Sequence, residues 1–164
     1  MKKRPPRKQK EKKTSPRAVR SGHLQVGASR SQSSAQIPLP RLPKGLQASV
    51  EKIVEFQWTI AAYNPELPAI FSTPAMIGMM EVAAAEAVRP HLPPGTISVG
   101  TRIEVDHLKA VPQGTTIRAD ARLVGNEGRF LVFEVQARAG ELIIGRGKVH
   151  RAIVPLPGAS APQK

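Results

Sequence analysis

Four polar side chains stand where the surrounding sequence pattern calls for apolar or neutral residues. Glu81 lies among Met, Val and Ala residues, where an unpaired carboxylate would be costly to bury. His107 and Arg151 fall on the inward faces of predicted strands, and Thr73 opens a predicted helix. An acid, an imidazole, a guanidinium and a hydroxyl on one small core include the groups that act as general bases and nucleophiles in enzymes. Together they predict a functional site.

Each of these residues also has an ordinary structural explanation. Capping the helix could be the sole role of Thr73, and an inward His107 could be a hydrogen-bonded core residue. Arg151, near a strand end, could extend its charged group to solvent. Glu81 is the hardest to explain in this way. Eight residues separate it from Thr73, which is about 12 Å of rise along a straight helix. The two are therefore expected to meet across a dimer, to stand at two ends of one elongated pocket, or to need a bend before Pro74.

One long helix, over residues 72–90, is the element that must position Thr73 and Glu81. Thr73 is expected to be the N-cap, Pro74 to occupy the first helical position, and Pro90 to end the helix. The residues between are almost all Ala, Met, Ile, Val and Gly. Because a helix that is apolar nearly all round must be covered, we expect other structure to wrap it.

Five segments alternate between apolar and polar residues, as strands with one buried face do. The first spans 54–60 and is followed by a proline-rich loop over 63–71; the other four follow the helix and are joined by short turns. Short turns imply antiparallel neighbours. The predicted fold class is α+β, a single hotdog domain in which a five-stranded antiparallel sheet wraps a long central helix. The predicted inward residues are Val54, Phe56, Trp58 and Ile60; Ile97, Val99, Thr101, Ile103, Val105 and His107; Ile117, Ala119, Ala121 and Leu123; Leu131, Phe133, Val135 and Ala137; and Ile143, Val149, Arg151 and Ile153.

Composition narrows the class of protein. A length of 164 residues suggests one domain, and the absence of cysteine excludes a disulfide framework or a zinc–cysteine cluster. No apolar run approaches the roughly 20 residues of a membrane-spanning helix. The basic start is not followed by an apolar segment, so it does not read as a secretory signal. We expect a cytoplasmic protein that holds no metal.

The charge of the chain is concentrated at its start. Residues 1–44 hold 13 Lys and Arg and one acid, whereas residues 45–164 hold 12 Lys and Arg and 11 acids. The expected division is a disordered basic tail over 1–44, the folded domain over 45–155 and a short C-terminal tail over 156–164. The basic tail is either a solvated extension, an arm that binds nucleic acid, or a transit peptide.

Several short motifs follow one another in a particular order between Ala48 and Pro155. They are Thr73-Pro74-Ala75-Met76 with Glu81, Ser98-Val99-Gly100-Thr101, Val105-Asp106-His107, Val111-Pro112-Gln113-Gly114, and Val149-His150-Arg151-Ala152-Ile153-Val154. Their identity and spacing resemble those of the hotdog thioesterases related to fluoroacetyl-CoA thioesterase. The resemblance does not extend into the basic tail.

The resemblance implies that Thr73, Glu81 and His107 are catalytic and that Gly100 and Arg151 shape the acyl site. It also implies a homodimer that binds an acyl-CoA substrate at its interface, with no cofactor apart from the coenzyme A of the substrate. The expected activity is acyl-CoA thioester hydrolysis. The alternative is a non-catalytic hotdog protein that binds acyl-CoA or another ligand.

One part of the sequence departs from the family pattern. In the fluoroacetyl-CoA enzyme, phenylalanines just before the helix form a lid over the acyl group. The matching positions here are Asn64 and Leu67, although Phe71 remains and is expected to contact the substrate. The sequence therefore favours a small or medium acyl group over fluoroacetyl specificity.

The expected roles follow from the chemistry of a thioester, whose thiolate is a good leaving group. His107 is the expected general base. Glu81 could orient His107, activate water or attack the carbonyl, and Thr73 could be the nucleophile or position the substrate. The helix N-terminus and the backbone at Gly100 are candidate sites for the oxyanion. Covalent attack and direct hydrolysis both remain open at this point.

Overall fold

A computed structural model describes residues 42–156 of the chain. The predicted disorder of the basic tail and its suggested nucleic-acid role concern residues outside this range, except for 42–44. Leu42 lies within the predicted tail, but it is buried in the core. The strands are β1 (Gln47–Ile53), β2 (Thr96–His107), β3 (Thr116–Glu127), β4 (Phe130–Ala139) and β5 (Leu142–Pro155), the helix is α1 (Thr73–Val88), and the short 3₁₀ turns are Phe56–Trp58, Ile60–Ala62 and Arg89–His91.

The five strands form one antiparallel sheet in the order β1-β3-β4-β5-β2. Helix α1 packs against the inner face of this sheet and contacts all five strands. The predicted hotdog arrangement is therefore confirmed. The predicted inner faces of β3 and β4 are also correct, because every residue expected there is buried: Ile117, Ala119, Ala121, Leu123, Leu131, Phe133, Val135 and Ala137.

The start of α1 differs from the prediction by one residue. Ser72, not Thr73, is the N-cap: its backbone is extended and its hydroxyl accepts a 3.4 Å hydrogen bond from the N–H of Ala75. Thr73 is thus the first helical residue, and its hydroxyl is not used for capping. The α-helix ends at Val88, and Pro90 lies within the 3₁₀ turn that follows. Within the described range, no helix combines the length and apolar character that a membrane crossing requires.

The predicted first strand, over 54–60, is wrong. Strand β1 lies earlier, and residues 56–62 form two 3₁₀ turns. Local hydrogen bonds outweigh the alternating pattern, since the Thr59 hydroxyl donates to the Phe56 carbonyl at 2.7 Å. Of the residues predicted to face inward, Val54 is buried whereas Phe56 is exposed.

Three register shifts interrupt the sheet, at Thr101 in β2, Val124 in β3 and Ile144 in β5. Those in β2 and β5 change the strand phases that alternation alone predicts. In β2, the register changes between Gly100 and Arg102, so Thr101 is the extra residue. Before the bulge, Ser98 and Gly100 face α1, and after it Val105 and His107 do. The predicted inward positions of Ile97, Val99 and Thr101 are therefore wrong.

The second bulge lies in β5. Arg138 pairs with Ile143 and Ala137 pairs with Gly145, so Ile144 is the extra residue. Consequently Ile144 is buried and Ile143 is exposed, which corrects the predicted inward position of Ile143. The predicted inward positions of Val149, Arg151 and Ile153 are confirmed, because all three are buried.

Candidate active site

A hydroxyl–imidazole pair joins the start of α1 to the end of β2. The Oγ1 of Thr73 lies 2.8 Å from Nδ1 of His107. On the other side of the ring, Nε2 of His107 lies 3.1 Å from the carbonyl oxygen of Lys109. Because a carbonyl oxygen only accepts hydrogen bonds, Nε2 must carry the ring proton in the neutral imidazole. Nδ1 is then free to accept the proton of the Thr73 hydroxyl.

The chain around His107 folds back so that this contact can form. After β2 ends, the N–H groups of Leu108 and Lys109 both donate to the carbonyl of Ile144, at 2.8 and 3.2 Å. This turn directs the Lys109 carbonyl towards the imidazole. His107 is opposite Gly145 in the sheet. A Cβ at position 145 would lie 2.5 Å from Sδ of Met76, so glycine allows α1 to pack close to β5.

A carboxylate–guanidinium cluster forms farther along α1. Nη1 of Arg151 lies 3.3 Å from Oε1 of Glu81 and 3.2 Å from the Glu81 carbonyl oxygen. The remaining donors contact Ser98: Nε reaches its Oγ at 2.7 Å, and Nη2 reaches its carbonyl oxygen at 2.9 Å. Only 7% of the Arg151 side chain is exposed. Burial lowers the pKa of Arg151, while the charge of Glu81 acts in the opposite direction.

The Glu81 carboxylate rests directly on the backbone of Gly100. A Cβ added at position 100 would lie 2.2 Å from Oε1 of Glu81, a distance that real side chains do not adopt. Gly100 is opposite Arg151 in the sheet and immediately precedes the bulge at Thr101. The bulge therefore brings Ser98 and Gly100 to the same side as Glu81 and Arg151.

The two groups of residues remain separate within one chain. Thr73 and Glu81 are about 12 Å apart along the helix axis. Both ring nitrogens of His107 are occupied, by Thr73 and by Lys109, and Glu81 pairs with Arg151 instead. Within a single chain Glu81 therefore contacts Arg151 and not His107, and a role of Glu81 at the imidazole stays a prediction that involves a second copy.

The residues before α1 lie in different surroundings. Phe71 is only 1% exposed and belongs to the hydrophobic core, so its contact with a substrate stays a prediction. Asn64 and Leu67 are both exposed, in the loop that precedes the helix.

Within residues 42–156, no three His, Asp or Glu side chains come together as a metal site would require.

Two contacts of the site were not predicted from the sequence. Ser98 was assigned to the outer face, because an uninterrupted alternation through β2 places it there. The Gly100-Thr101 pair was the available signal, since glycine inside a strand often marks a bulge. The contact from the Lys109 carbonyl uses a backbone group in a turn, and no residue type indicates it.

A helix of 16 residues wrapped by a five-stranded antiparallel sheet defines a protein of the hotdog fold. The model of the fluoroacetyl-CoA-specific thioesterase family matches residues 54–156, and the chain belongs to that family of thioester hydrolases. Similar proteins support this assignment at the level of both sequence and structure.

The chain is 43% identical over 91 residues to the fluoroacetyl-CoA thioesterase of Streptantibioticus cattleyicolor. The matched region is 56% of this chain and 66% of that protein. A solved structure of the fluoroacetyl-CoA thioesterase FlK has 35% identity and a TM-score of 0.66, over 71% of this chain and 91% of the other. A hypothetical protein of the thioesterase superfamily from Thermus thermophilus has 27% identity and a TM-score of 0.67, over 71% and 88% of the two chains.

Proposed function

We propose that this protein hydrolyses the thioester of a small or medium acyl-CoA, with no cofactor besides the coenzyme A of the substrate. The observation that carries the proposal is the 2.8 Å contact between Thr73 Oγ1 and His107 Nδ1, together with the Lys109 carbonyl on the opposite ring nitrogen. A base whose tautomer is set by a neighbouring carbonyl, next to a hydroxyl, suits acyl transfer to oxygen.

His107 is the general base in the proposed reaction. Its Nδ1 accepts a proton from the attacking oxygen, which adds to the thioester carbonyl and forms a tetrahedral oxyanion. Collapse of this species breaks the carbon–sulfur bond, and the imidazolium returns its proton to the departing thiolate. If Thr73 Oγ1 attacks, an acyl ester forms and a water molecule then hydrolyses it by the same proton transfers. If water attacks, the free acid forms directly and Thr73 positions that water.

The start of α1 offers a donor for the oxyanion. Pro74 has no N–H, and the N–H of Ala75 points to the Ser72 hydroxyl. The N–H of Thr73 is then the remaining amide of the first turn, at the positive end of the helix dipole. We infer that this amide stabilises the negative charge that develops on the carbonyl oxygen.

Glu81 acts, in this proposal, on the active site of a second copy. Arg151 holds its carboxylate away from His107 of the same chain. The outward surface of α1 contains Pro74, Gly78 and Val82, all exposed, with Val82 at 48%. Small and apolar residues of this kind allow two helices to approach closely, so a two-fold homodimer would bring Glu81 of one copy towards Thr73 and His107 of the other.

The acyl group is proposed to be small or medium in size. Asn64 and Leu67 are the residues that the family resemblance matches to the lid phenylalanines of the fluoroacetyl-CoA enzyme, and Leu67 is 42% exposed. An aliphatic leucine and a short amide cover less of a bound acyl group than two aromatic rings. We therefore expect fluoroacetyl-CoA to be one substrate among several rather than a strongly preferred one.

A panel of acyl-CoA thioesters tests the proposal through release of the free thiol. Acetyl-, fluoroacetyl-, butyryl-, octanoyl- and palmitoyl-CoA should separate short and medium chains from long ones. Substituting His107→Ala or Glu81→Ala should each lower turnover at least about 100-fold, as general bases and charged site groups commonly contribute this much.

The matched control is His150→Ala. His150 also lies within hydrogen-bond distance of a glutamate, because its Nε2 is 3.0 Å from Oε1 of Glu104, but this pair is on the outer face of β5 and β2. Its substitution should leave turnover unchanged. Full hydrolysis by both the His107 and the Glu81 variants would remove the proposal. A burst of thiol in the first turnover would favour attack by Thr73 over direct attack by water.

A further inference from the structure

Ser98 is a half-buried serine whose two oxygens both contact one buried cation. The Thr101 bulge turns this residue towards α1, where its hydroxyl oxygen and its carbonyl oxygen accept from Nε and Nη2 of Arg151 at 2.7 and 2.9 Å. Neither the family pattern nor the proposed reaction gives Ser98 a role. Its geometry nevertheless decides how Arg151 is oriented.

The guanidinium of arginine is planar, so two hydrogen bonds along one edge set the position of the whole group. The edge formed by Nε and Nη2 is taken by Ser98, and Nη1 at the third corner is therefore directed at Glu81. There it contacts both the main-chain oxygen and the carboxylate of Glu81, at 3.2 and 3.3 Å. The carboxylate is pressed against Gly100 on its other side.

We propose that Ser98 is a positioning residue for the proposed thioester hydrolysis: it fixes the Arg151 guanidinium, which in turn fixes the Glu81 carboxylate against Gly100. This inference rests on the proposed function, and it adds a residue that acts only through others. Ser98 does not touch the Thr73–His107 pair; its contacts are to the group that presents the acid.

Removing the Ser98 hydroxyl should change the orientation of Arg151 rather than its charge. The Nε–H would lose its acceptor in a site where only 7% of the arginine side chain is exposed, and an unpaired buried donor is unfavourable. The guanidinium should therefore rotate or move until Nε finds another acceptor, and Glu81 should move with it. Displacement of a catalytic group by about 1 Å costs on the order of 100-fold in rate.

The experiment compares Ser98→Ala with a matched serine variant. Ser49→Ala removes a hydroxyl that also contacts an arginine and a carboxylate, those of Arg118 and Asp120, but on the outer face of the sheet. We expect Ser98→Ala to lower kcat roughly 10- to 100-fold with a smaller change in KM. Ser49→Ala should keep the wild-type kcat, and Ser98→Thr, which retains the hydroxyl, should restore most of the rate.

A double-mutant cycle tests whether Ser98 acts through Arg151. Arg151→Lys removes the planar fork, so adding Ser98→Ala to it should cause little further loss if the two residues act as one unit. Additive losses would overturn the proposal. If Ser98→Ala does not fold, Ser98→Cys replaces it, because a thiol is similar in size but a weak acceptor. A wild-type kcat in a folded Ser98→Ala or Ser98→Cys variant would equally overturn the proposal.

A second readout is independent of turnover. The Nε–H of Arg151, buried and bonded to Ser98, should give a slowly exchanging signal in ¹H–¹⁵N spectra that is lost in Ser98→Ala and retained in Ser49→Ala. If wild-type protein hydrolysed no thioester of the panel, the proposed function would fail, and this signal would still decide whether Ser98 holds Arg151. Persistence of the signal in Ser98→Ala would overturn the positioning role whatever the activity.

Discussion

The same three residue types, a serine, an arginine and an acid, form two clusters on opposite faces of one sheet. In both clusters the arginine donates to the serine and to the acid. One cluster faces solvent and the other faces α1, so they differ mainly in surroundings. The outer cluster consists of Ser49, Arg118 and Asp120, and the inner cluster consists of Ser98, Arg151 and Glu81.

Solvent exposure separates the two arginines. The side chain of Arg118 is 46% exposed, and that of Arg151 is 7% exposed. A hydrogen bond from Arg118 to Asp120, together with their mutual attraction, raises the pKa of Arg118. Burial instead lowers the pKa of Arg151, although the charge of Glu81 opposes this change. In the outer cluster the arginine is stabilised by its neighbours, whereas in the inner cluster the fold bears a cost to keep a cation next to Glu81.

This difference in burial indicates that the inner cluster is a costly way to stabilise the fold. A buried ion pair is often no more stabilising than apolar residues of the same size. The outer cluster resembles ordinary surface ion pairs, which contribute little. Charged groups whose pKa is shifted by burial next to a specific partner cluster at functional sites, and Arg151 beside Glu81 is such a group.

The largest effect on stability should come from removing Arg151. Arg151→Ala leaves the Glu81 carboxylate and the Ser98 oxygens without their partner, and breaking a buried pair is strongly destabilising. We expect a loss of about 2–3 kcal/mol in the free energy of unfolding, less than for a fully buried pair because Glu81 is partly exposed. Urea denaturation at neutral pH measures this value.

Arg118→Ala is the matched control for that measurement. It removes an arginine from the outer cluster, where water can solvate the remaining acid, and should change the unfolding midpoint little. Equal destabilisation of the two arginine variants would contradict the claim that burial separates the two clusters. An Arg151→Ala protein as stable as wild type would contradict the same claim.

A smaller effect, which depends on pH, is expected at Asp120. Burial tends to raise its pKa, but hydrogen bonds from Ser49 and Arg118 and the nearby charges of Arg118 and Arg138 outweigh burial and lower it. A carboxyl whose pKa is lower in the folded state adds stability above its unfolded pKa. That stability is lost as the pH falls through the folded value.

Asp120→Asn should therefore reduce the free energy of unfolding by up to about 1 kcal/mol at pH 7. The difference from wild type should shrink as the pH falls below about 4, where the unfolded aspartate becomes protonated. Thermal melts of both proteins between pH 3 and 7 measure it. A difference that stays constant across this range would show that the charge of Asp120 is not responsible.

Much of the fold could be predicted from periodicity. The apolar helix and the inner faces of β3 and β4 follow from patterns of 3.6 and 2 residues, because burial on one face imposes those periods. The polar residues Glu81 and Arg151 could be selected because they interrupt apolar faces. Their mutual contact followed once the strands were placed around the helix.

The strand phases around the bulges, the position of the helix cap and the turns after β1 depended on local geometry that residue types do not encode. A bulge adds one residue to a strand, so the residues before it and after it no longer share one alternation, and Ser98 was assigned to the wrong face. The helix cap lies one residue before the predicted position, because Ser72 and Thr73 are adjacent and both residue types are common caps. The segment after β1 alternates like a strand, but it forms 3₁₀ turns stabilised by the side chain of Thr59.

In the proposed active site, the Thr73–His107 pair of one chain works with the Glu81 carboxylate of another. Subunit mixing measures this directly. The His107→Ala and Glu81→Ala proteins, each expected to retain about 1% of wild-type turnover or less, are co-expressed with different affinity tags. Thiol release is then assayed on the purified mixed dimers. Each mixed dimer would contain one site with both wild-type residues and one site with neither, so the purified mixed dimer should recover about half of wild-type activity. Activity no greater than that of the separate variants would contradict a site shared between two copies.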